Sequence, residues 1–153
     1  MPDKVSMEVV RSVMTEQSLG VLATQGSRYP YTSLVGFAVS GDNREIVFST
    51  FRDTSKYSNI KSNPGVSMLV TSSENRESDF KEAAAVTALG DAREVPVERQ
   101  RVLRTLYLSK FPFLKDFADD PRCVLMRIEV AKYIVVTSFQ HVDEIVFAQK
   151  AAE

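Results

Sequence analysis

Arg52, Thr54, Ser55 and Lys56 fall within five residues, inside the stretch STFRDTSKYSNIKSNPG at 49–65. Two hydroxyls and two cations gathered where a short helix begins are suited to an anion. The first backbone N–H groups of a helix are unpaired, and they sit at the positive end of its dipole. A phosphate is the ligand that such a start fits. The same residues would equally form a solvated first turn in which Arg52 and Lys56 decorate the surface, so the stretch alone leaves both readings open.

Other chemistry is scarce. One histidine, His141, and one cysteine, Cys123, cannot supply a zinc cluster of recognisable spacing, and no metal is expected. The chain has no G-x-S-x-G elbow, no G-x-x-x-x-G-K-[ST] loop and no G-x-G-x-x-G turn. His141, in SFQHVDEI, reads as a surface or strand-edge residue, and Cys123, in RCVLMRIEV, as a small buried hydrophobe in a strand. The acidic neighbours Asp119-Asp120 and Asp143-Glu144 point different ways in any regular structure and read as solvated.

The chain has 153 residues, 44% of them hydrophobic and 25% charged, enough for one domain over residues 1–153 with its own core. Its 19 Lys and Arg against 20 Asp and Glu leave a net charge of −1. That balance argues against nucleic acid, whose partners carry a basic face, and makes any anion site local. No apolar run approaches the roughly 18 residues that span a bilayer, and no secretory signal is recognisable. No membrane partner and a cytoplasmic location are expected.

The elements that must carry the 49–65 stretch follow from periodicity. Residues 3–17 read as a helix, with Val5, Val9, Val10, Val13 and Met14 at helical spacing and Asp3 or Ser6 as N-cap. LGVLAT, YTSLVGFAVS and REIVFSTF read as three strands, the last two joined by a hairpin at Gly41-Asp42-Asn43. Asp53 is the expected cap of the short helix, Tyr57 and Ile60 share its inner face, and Asn63-Pro64-Gly65 stops it. VSMLVTS alternates as a strand, SENRESDFKE reads as a mobile polar loop, and AAAVTALGDAREV as a strand bent or bulged at Gly90. Pro96 opens a helix to about Lys110 with Leu103, Leu106 and Tyr107 buried, and a shorter one after Pro112 pairs Phe113 with Phe117. CVLMRIEVAKYIVVTS and DEIVF supply the last strands. Strands in consecutive runs, with three or four helices, predict a mainly β (α+β) fold: a six- to seven-stranded antiparallel barrel with peripheral helices.

The order GVLAT, PYTSLVGF, IVFSTFRDTSKYSNIKSNPGVSML and VTALGDAREV resembles the FMN-binding split-barrel family that includes pyridoxamine 5'-phosphate oxidase. The likeness is best over residues 17–95. It implies a split barrel that dimerises with FMN at the subunit interface and acts as an oxidoreductase. Lys56 falls on the family's phosphate-binding lysine, with Thr54 and Ser55 just before it and Arg52 as an additional basic residue. Ser33, Leu34, Val35 and Gly36 match the strand whose backbone faces the flavin ring, and Ser49 and Thr50 the strand flanking it. A glycine at 36 would let a flat ring approach the backbone. The chain departs from the true oxidases at Ser55, where they carry Arg, at Ala85, where the family often has an amide, and in having no Trp. The vitamin B6 substrate is therefore not expected. Flavin or haem binding without turnover, and use of a deazaflavin on the same barrel, are the alternatives.

Overall fold

Val66, Met68 and Val70 are buried while Ser67, Leu69 and Thr71 between them are not, the two-residue period of a strand with one face in a core. Alternation of this kind marks several of the seven strands of the computed structural model, which describes residues 4–26, 28–138 and 140–148. The elements are α1 (Lys4–Glu16), β1 (Leu19–Thr24), β2 (Tyr31–Val39), β3 (Glu45–Phe51), α2 (Ser55–Ser62), β4 (Gly65–Thr71), α3 (Asp79–Glu82), β5 (Ala85–Glu94), α4 (Val97–Lys110), a 3-10 turn (Pro112–Leu114), α5 (Lys115–Asp119), β6 (Cys123–Thr137) and β7 (His141–Val146).

The strands lie in the order β3-β2-β1-β4-β5-β6-β7, all antiparallel, and a further pairing of β3 with β6 closes the first six into a barrel. β6 has 15 residues and so can pair with β5 along one edge and with β3 and then β7 along the other. Gly90 makes this possible. The β5–β6 register shifts between Leu89 and Gly90, where a Cβ would lie 2.1 Å from the Glu129 carbonyl oxygen.

Leu22, Phe37, Phe48, Met68, Met126 and Tyr133 fill the barrel, and α1 stops one end with Val10, Val13 and Met14. A second core lies outside, where Leu103, Tyr107 and Phe111 near or at the end of α4 cover Ala38 and Val47 of β2 and β3. The opposite end of the barrel is crossed by α2, which leads from β3 to β4 and drops Ile60 into the core. No helix among the described residues is long and apolar enough to cross a membrane.

Several local expectations are corrected. Thr54, not Asp53, caps α2: its side chain accepts the Tyr57 N–H. Ser6 lies within α1 and donates to Asp143 at 2.6 Å instead of capping the helix, and Asp3 lies outside the described residues. Residues 73–82 carry the short helix α3, preceded by a turn in which the Asp79 carboxylate accepts the N–H groups of Glu74 and Arg76. Phe117 packs on Phe51 and Phe113 on Phe111, because a 3-10 turn precedes α5 and breaks the helical spacing assumed for 113 and 117. The acidic neighbours are paired as well as solvated: Asp119 with Arg104 and Lys115, Asp120 with Arg122, Asp143 with Ser6 and Glu144 with Lys132. Five α-helices are present among the described residues, two of them only four and five residues long.

Candidate functional site

β2 and β3 pair only from Phe37–Val39 to Ile46–Phe48 and then separate. Beyond that point Ser33–Gly36 remain paired with β1 on one side, and Ser49–Phe51 with β6 on the other. The facing edges of both strands lack a strand neighbour, so backbone donors and acceptors are available in the opening between them. The start of α2 lies at the end of β3, over this split.

Alternation decides which side chains enter. Val35 and Phe37 point into the barrel, and Ser33 shares their direction, while Leu34 is 64% exposed on the outer surface. Gly36 also faces outward, beneath Phe111, where an added Cβ would be 3.6 Å from the nearest ring carbon. That is an ordinary contact, so the protein's own packing does not demand a glycine there. On β3, Thr50 points inward and is 2% exposed. Ser49 points the other way, under α4, where burial raises the Tyr107 phenol and a hydrogen bond with Ser49 opposes the rise.

Thr50, Thr54 and Lys56 are brought together. The Thr50 and Thr54 hydroxyls are 3.0 Å apart, and Lys56 Nζ lies 3.4 Å from Thr50 Oγ1. Burial pulls the Lys56 ammonium below its ordinary pKa, and none of the described ion pairs includes it. On the open stretch of β2, Ser33 Oγ is buried with no hydrogen-bond partner among the described residues. An unpaired buried hydroxyl and a desolvated ammonium at one opening are groups whose partners are to be sought in a ligand.

Arg52 does not join them. Its guanidinium donates to the Pro121 carbonyl oxygen at 3.3 Å and reaches the Tyr57 phenol, which itself donates to Glu94 of β5. Asn59, on the opposite flank of α2, donates to Thr24 of β1 at 3.0 Å. The helix is thus tied down on both sides, with Arg52 on the flank facing β5. Ser55, the first residue of α2, is exposed at its N-terminus. Phe111, the outer cover of Gly36, has no motif of its own in the sequence, but its four-residue spacing from Tyr107 is the signal that points to it.

Two hollows lie elsewhere. One of about 1030 Å³ is bordered by the end of β1, the start of β4, parts of β5, β6 and β7 and the β2–β3 connection, and one of about 660 Å³ lies beside the β4–β5 connection. Neither is lined by a residue of β2 or α2. His141 pairs with Thr137 at the far end of β6, whereas Thr50 pairs with Val124 near its beginning.

Residues 6–137 match the sequence profile of the family described as pyridoxamine 5'-phosphate oxidase. The chain belongs to that family. Among solved structures, the family fold recurs in a haem-binding protein from Mycobacterium smegmatis, with a TM-score of 0.80 at 18% identity, covering 95% of this chain and 59% of that one. An FAD-binding protein from Mesorhizobium loti is similar at TM-score 0.67 and 19% identity, over 85% of this chain and 92% of its own. General Stress Protein 26 from Bacillus anthracis matches at TM-score 0.68 and 20% identity, over 92% and 97%. The chain thus spans less than three-fifths of the M. smegmatis protein. No functionally curated protein matches it. At these identities the neighbours establish the fold, and they include both flavin and haem binders.

The residues of the split fit a flavin phosphate. Lys56 offers an unpaired cation, α2 offers its N-terminal N–H groups, and Ser33 offers an unused hydroxyl.

Proposed function

We propose that the chain binds FMN in the split between β2 and β3 and works as an FMN-dependent oxidoreductase. The observation that carries this reading is the Lys56 ammonium, desolvated at the start of α2 with a hydroxyl as its hydrogen-bond partner and no carboxylate. Bound flavin supplies acceptance and donation of hydride or electrons; the protein supplies binding and orientation. Lys56 and the first N–H groups of α2 hold the phosphate, and Thr54, by capping the helix, fixes the direction in which those N–H groups point. The open edges of Ser33–Gly36 and Ser49–Phe51 are available to the polar rim of the ring. No side chain at the split has the character of a general acid or base, so no catalytic residue is assigned.

The reading includes a homodimer with the cofactor site at its interface. Leu34, Val21, Leu69, Thr87 and Ile134 form one row across the outside of β2, β1, β4, β5 and β6. Leu34, Val21 and Leu69 are among the exposed large hydrophobics, next to Leu19. Such a contiguous apolar face beside the split is the surface a second copy would cover. In solution the protein is expected at twice the 17.1 kDa chain mass, and Leu34→Asp, which puts a charge at the end of the row beside the split, is expected to yield monomers with weakened FMN binding. Sedimentation of both proteins checks this. A wild-type monomer saturated with FMN would remove the interface site.

Haem is the rival, supported by the M. smegmatis neighbour. The absorption spectrum of protein purified without added cofactor separates the two, through flavin bands or a Soret band. Lys56→Ala is expected to cost about 1.5–3 kcal/mol of FMN affinity, the worth of a hydrogen bond to a charged group, and to leave riboflavin binding unchanged. Equal weakening of both would refute the phosphate assignment. His141→Ala should not disturb a flavin spectrum, whereas a Soret band lost on that change would establish haem with His141 as its axial ligand.

A further inference from the structure

The end of α4 and the segment after it span the place where β2 and β3 part. Tyr107 shares a hydrogen bond with Ser49 of β3, and Phe111 covers Gly36 of β2. The chain then makes its 3-10 turn and returns to β3, where Phe117 packs on Phe51 with ring centres 5.1 Å apart. Residues 111–117 thus form a strap from one edge of the split to the other, on its outer side. Phe111 is buried and Phe117 half-buried, but Phe113 between them is 78% exposed, standing edge-on to Phe111 at 6.1 Å. Exposed Leu34 and Leu19 flank Gly36 on the same side, one two residues along β2 and the other its partner on β1. An exposed apolar set at the mouth of a cleft marks a surface meant to be covered. The cations of the strap and its flanks are already taken. Lys110 donates to the Met14 and Gln17 carbonyl oxygens, Lys115 pairs with Asp119, and Arg122 with Asp120. None of the described ion pairs includes Asp116, which is exposed on the strap and opposes an anion there.

We propose that Phe113 determines the substrate specificity of the site, and that the substrate it selects is a flat, uncharged, apolar two-electron acceptor of the quinone class. The ring covers one face of the substrate at the outer mouth of the split, a contact that an aromatic side chain makes with a large apolar area. Reduction of a quinone adds two electrons and two protons and turns both carbonyls into hydroxyls. Reduced flavin supplies a hydride equivalent and returns to its oxidised form, and water supplies the second proton. The inference rests on the flavin reading given above and names the substrate class for that same site.

The test uses the full chain loaded with FMN, photoreduced without oxygen and mixed with naphthoquinone or with naphthoquinone sulfonate, which adds a negative charge to the same ring. Flavin reoxidation is followed over a range of quinone concentrations. Phe113→Ala is expected to raise the half-saturating concentration of naphthoquinone about tenfold, the loss of one aromatic contact, with FMN affinity and sedimentation unchanged. Phe113→Tyr, which keeps the ring, should behave as wild type. In wild type the sulfonate should need a higher concentration than naphthoquinone. Reoxidation that never saturates in wild type, equal half-saturation in Phe113→Ala, or a lower value for the sulfonate would overturn the assignment. So would a Phe113→Ala protein that sediments as a monomer where wild type dimerises, because the ring would then belong to the subunit contact. Failure of wild type to bind FMN would instead overturn the flavin reading beneath it.

Discussion

Two half-buried lysines serve opposite ends of the barrel, and their surroundings differ. At the end stopped by α1, Lys110 Nζ donates to the Met14 and Gln17 carbonyl oxygens, at 3.2 and 2.6 Å. It also lies 4.2 Å from the centre of the Phe37 ring and 5.6 Å from that of Phe111. Those carbonyls end a helix, where a cation suits the dipole. At the end crossed by α2, Lys56 has one neutral hydroxyl, at the positive end of a helix where a cation is disfavoured. Residue type and burial are alike; what differs is whether the fold supplies the partner. Lys110 is committed to structure, while Lys56 is held in a place that an anion would improve.

That contrast can be broken first at the stopped end. Met14 is fully buried between α1 and the barrel. Met14→Ala is expected to cost about 2–5 kcal/mol of stability in urea unfolding, the usual range for emptying a core site. The preference for FMN over riboflavin should persist in the folded fraction. Loss of that preference would show that the two ends are not independent.

The lysines themselves give a smaller effect. Lys110→Ala leaves two helix-terminal carbonyls without their donor and should lower stability by about 1–3 kcal/mol, with the flavin preference intact. Lys56→Ala should do the reverse, changing stability by no more than about 0.5 kcal/mol while removing the preference. Exchanged outcomes in paired urea and flavin titrations would erase the distinction.

The smallest effect is in pH. Burial pulls the Lys110 ammonium from 10.5 down to about 8 in the folded protein. Between those values the unfolded chain binds the proton and the folded one releases it, so unfolding takes up protons and stability rises with pH. Below about 8 both states are protonated, and the destabilising burial of the charge is fully present. The urea midpoint should therefore climb between pH 8 and pH 10 in wild type and climb less in Lys110→Met. Equal slopes in the two proteins would mean that other groups set the alkaline behaviour.

Much of this molecule was legible before folding was considered. Strands showed in alternation, as at Val66, Met68 and Val70, where one face is buried and the other is not. The bend at Gly90 showed because a residue without a side chain stood in an otherwise β-forming run, and the structure puts the Glu129 carbonyl where a Cβ would be. Capping was less legible. Asp53 and Thr54 are both good caps by type, and the choice fell to Thr54 because its hydroxyl also finds Thr50 and the Phe51 carbonyl. The pairing of Phe113 with Phe117 failed for a similar reason: a 3-10 turn at Pro112–Leu114 sets a different spacing and sends the rings to Phe111 and Phe51.

By itself the sequence determined the barrel's strands and placed Lys56 in the first turn of a helix, because both follow from local periodicity and end signals. Only the tertiary structure decided what those residues face. Arg52 and Lys56 lie four positions apart with the same charge, yet Pro121 and Tyr57, itself held by Glu94, draw one to the flank of α2 beside β5. The other is left desolvated against Thr50 at the split. Pro121 and Glu94 come from distant parts of the chain, and β2 and β3 part after Phe37 and Phe48 because β6 and β1 hold their outer edges. Such pairings are non-local, and no window of neighbouring residues contains them.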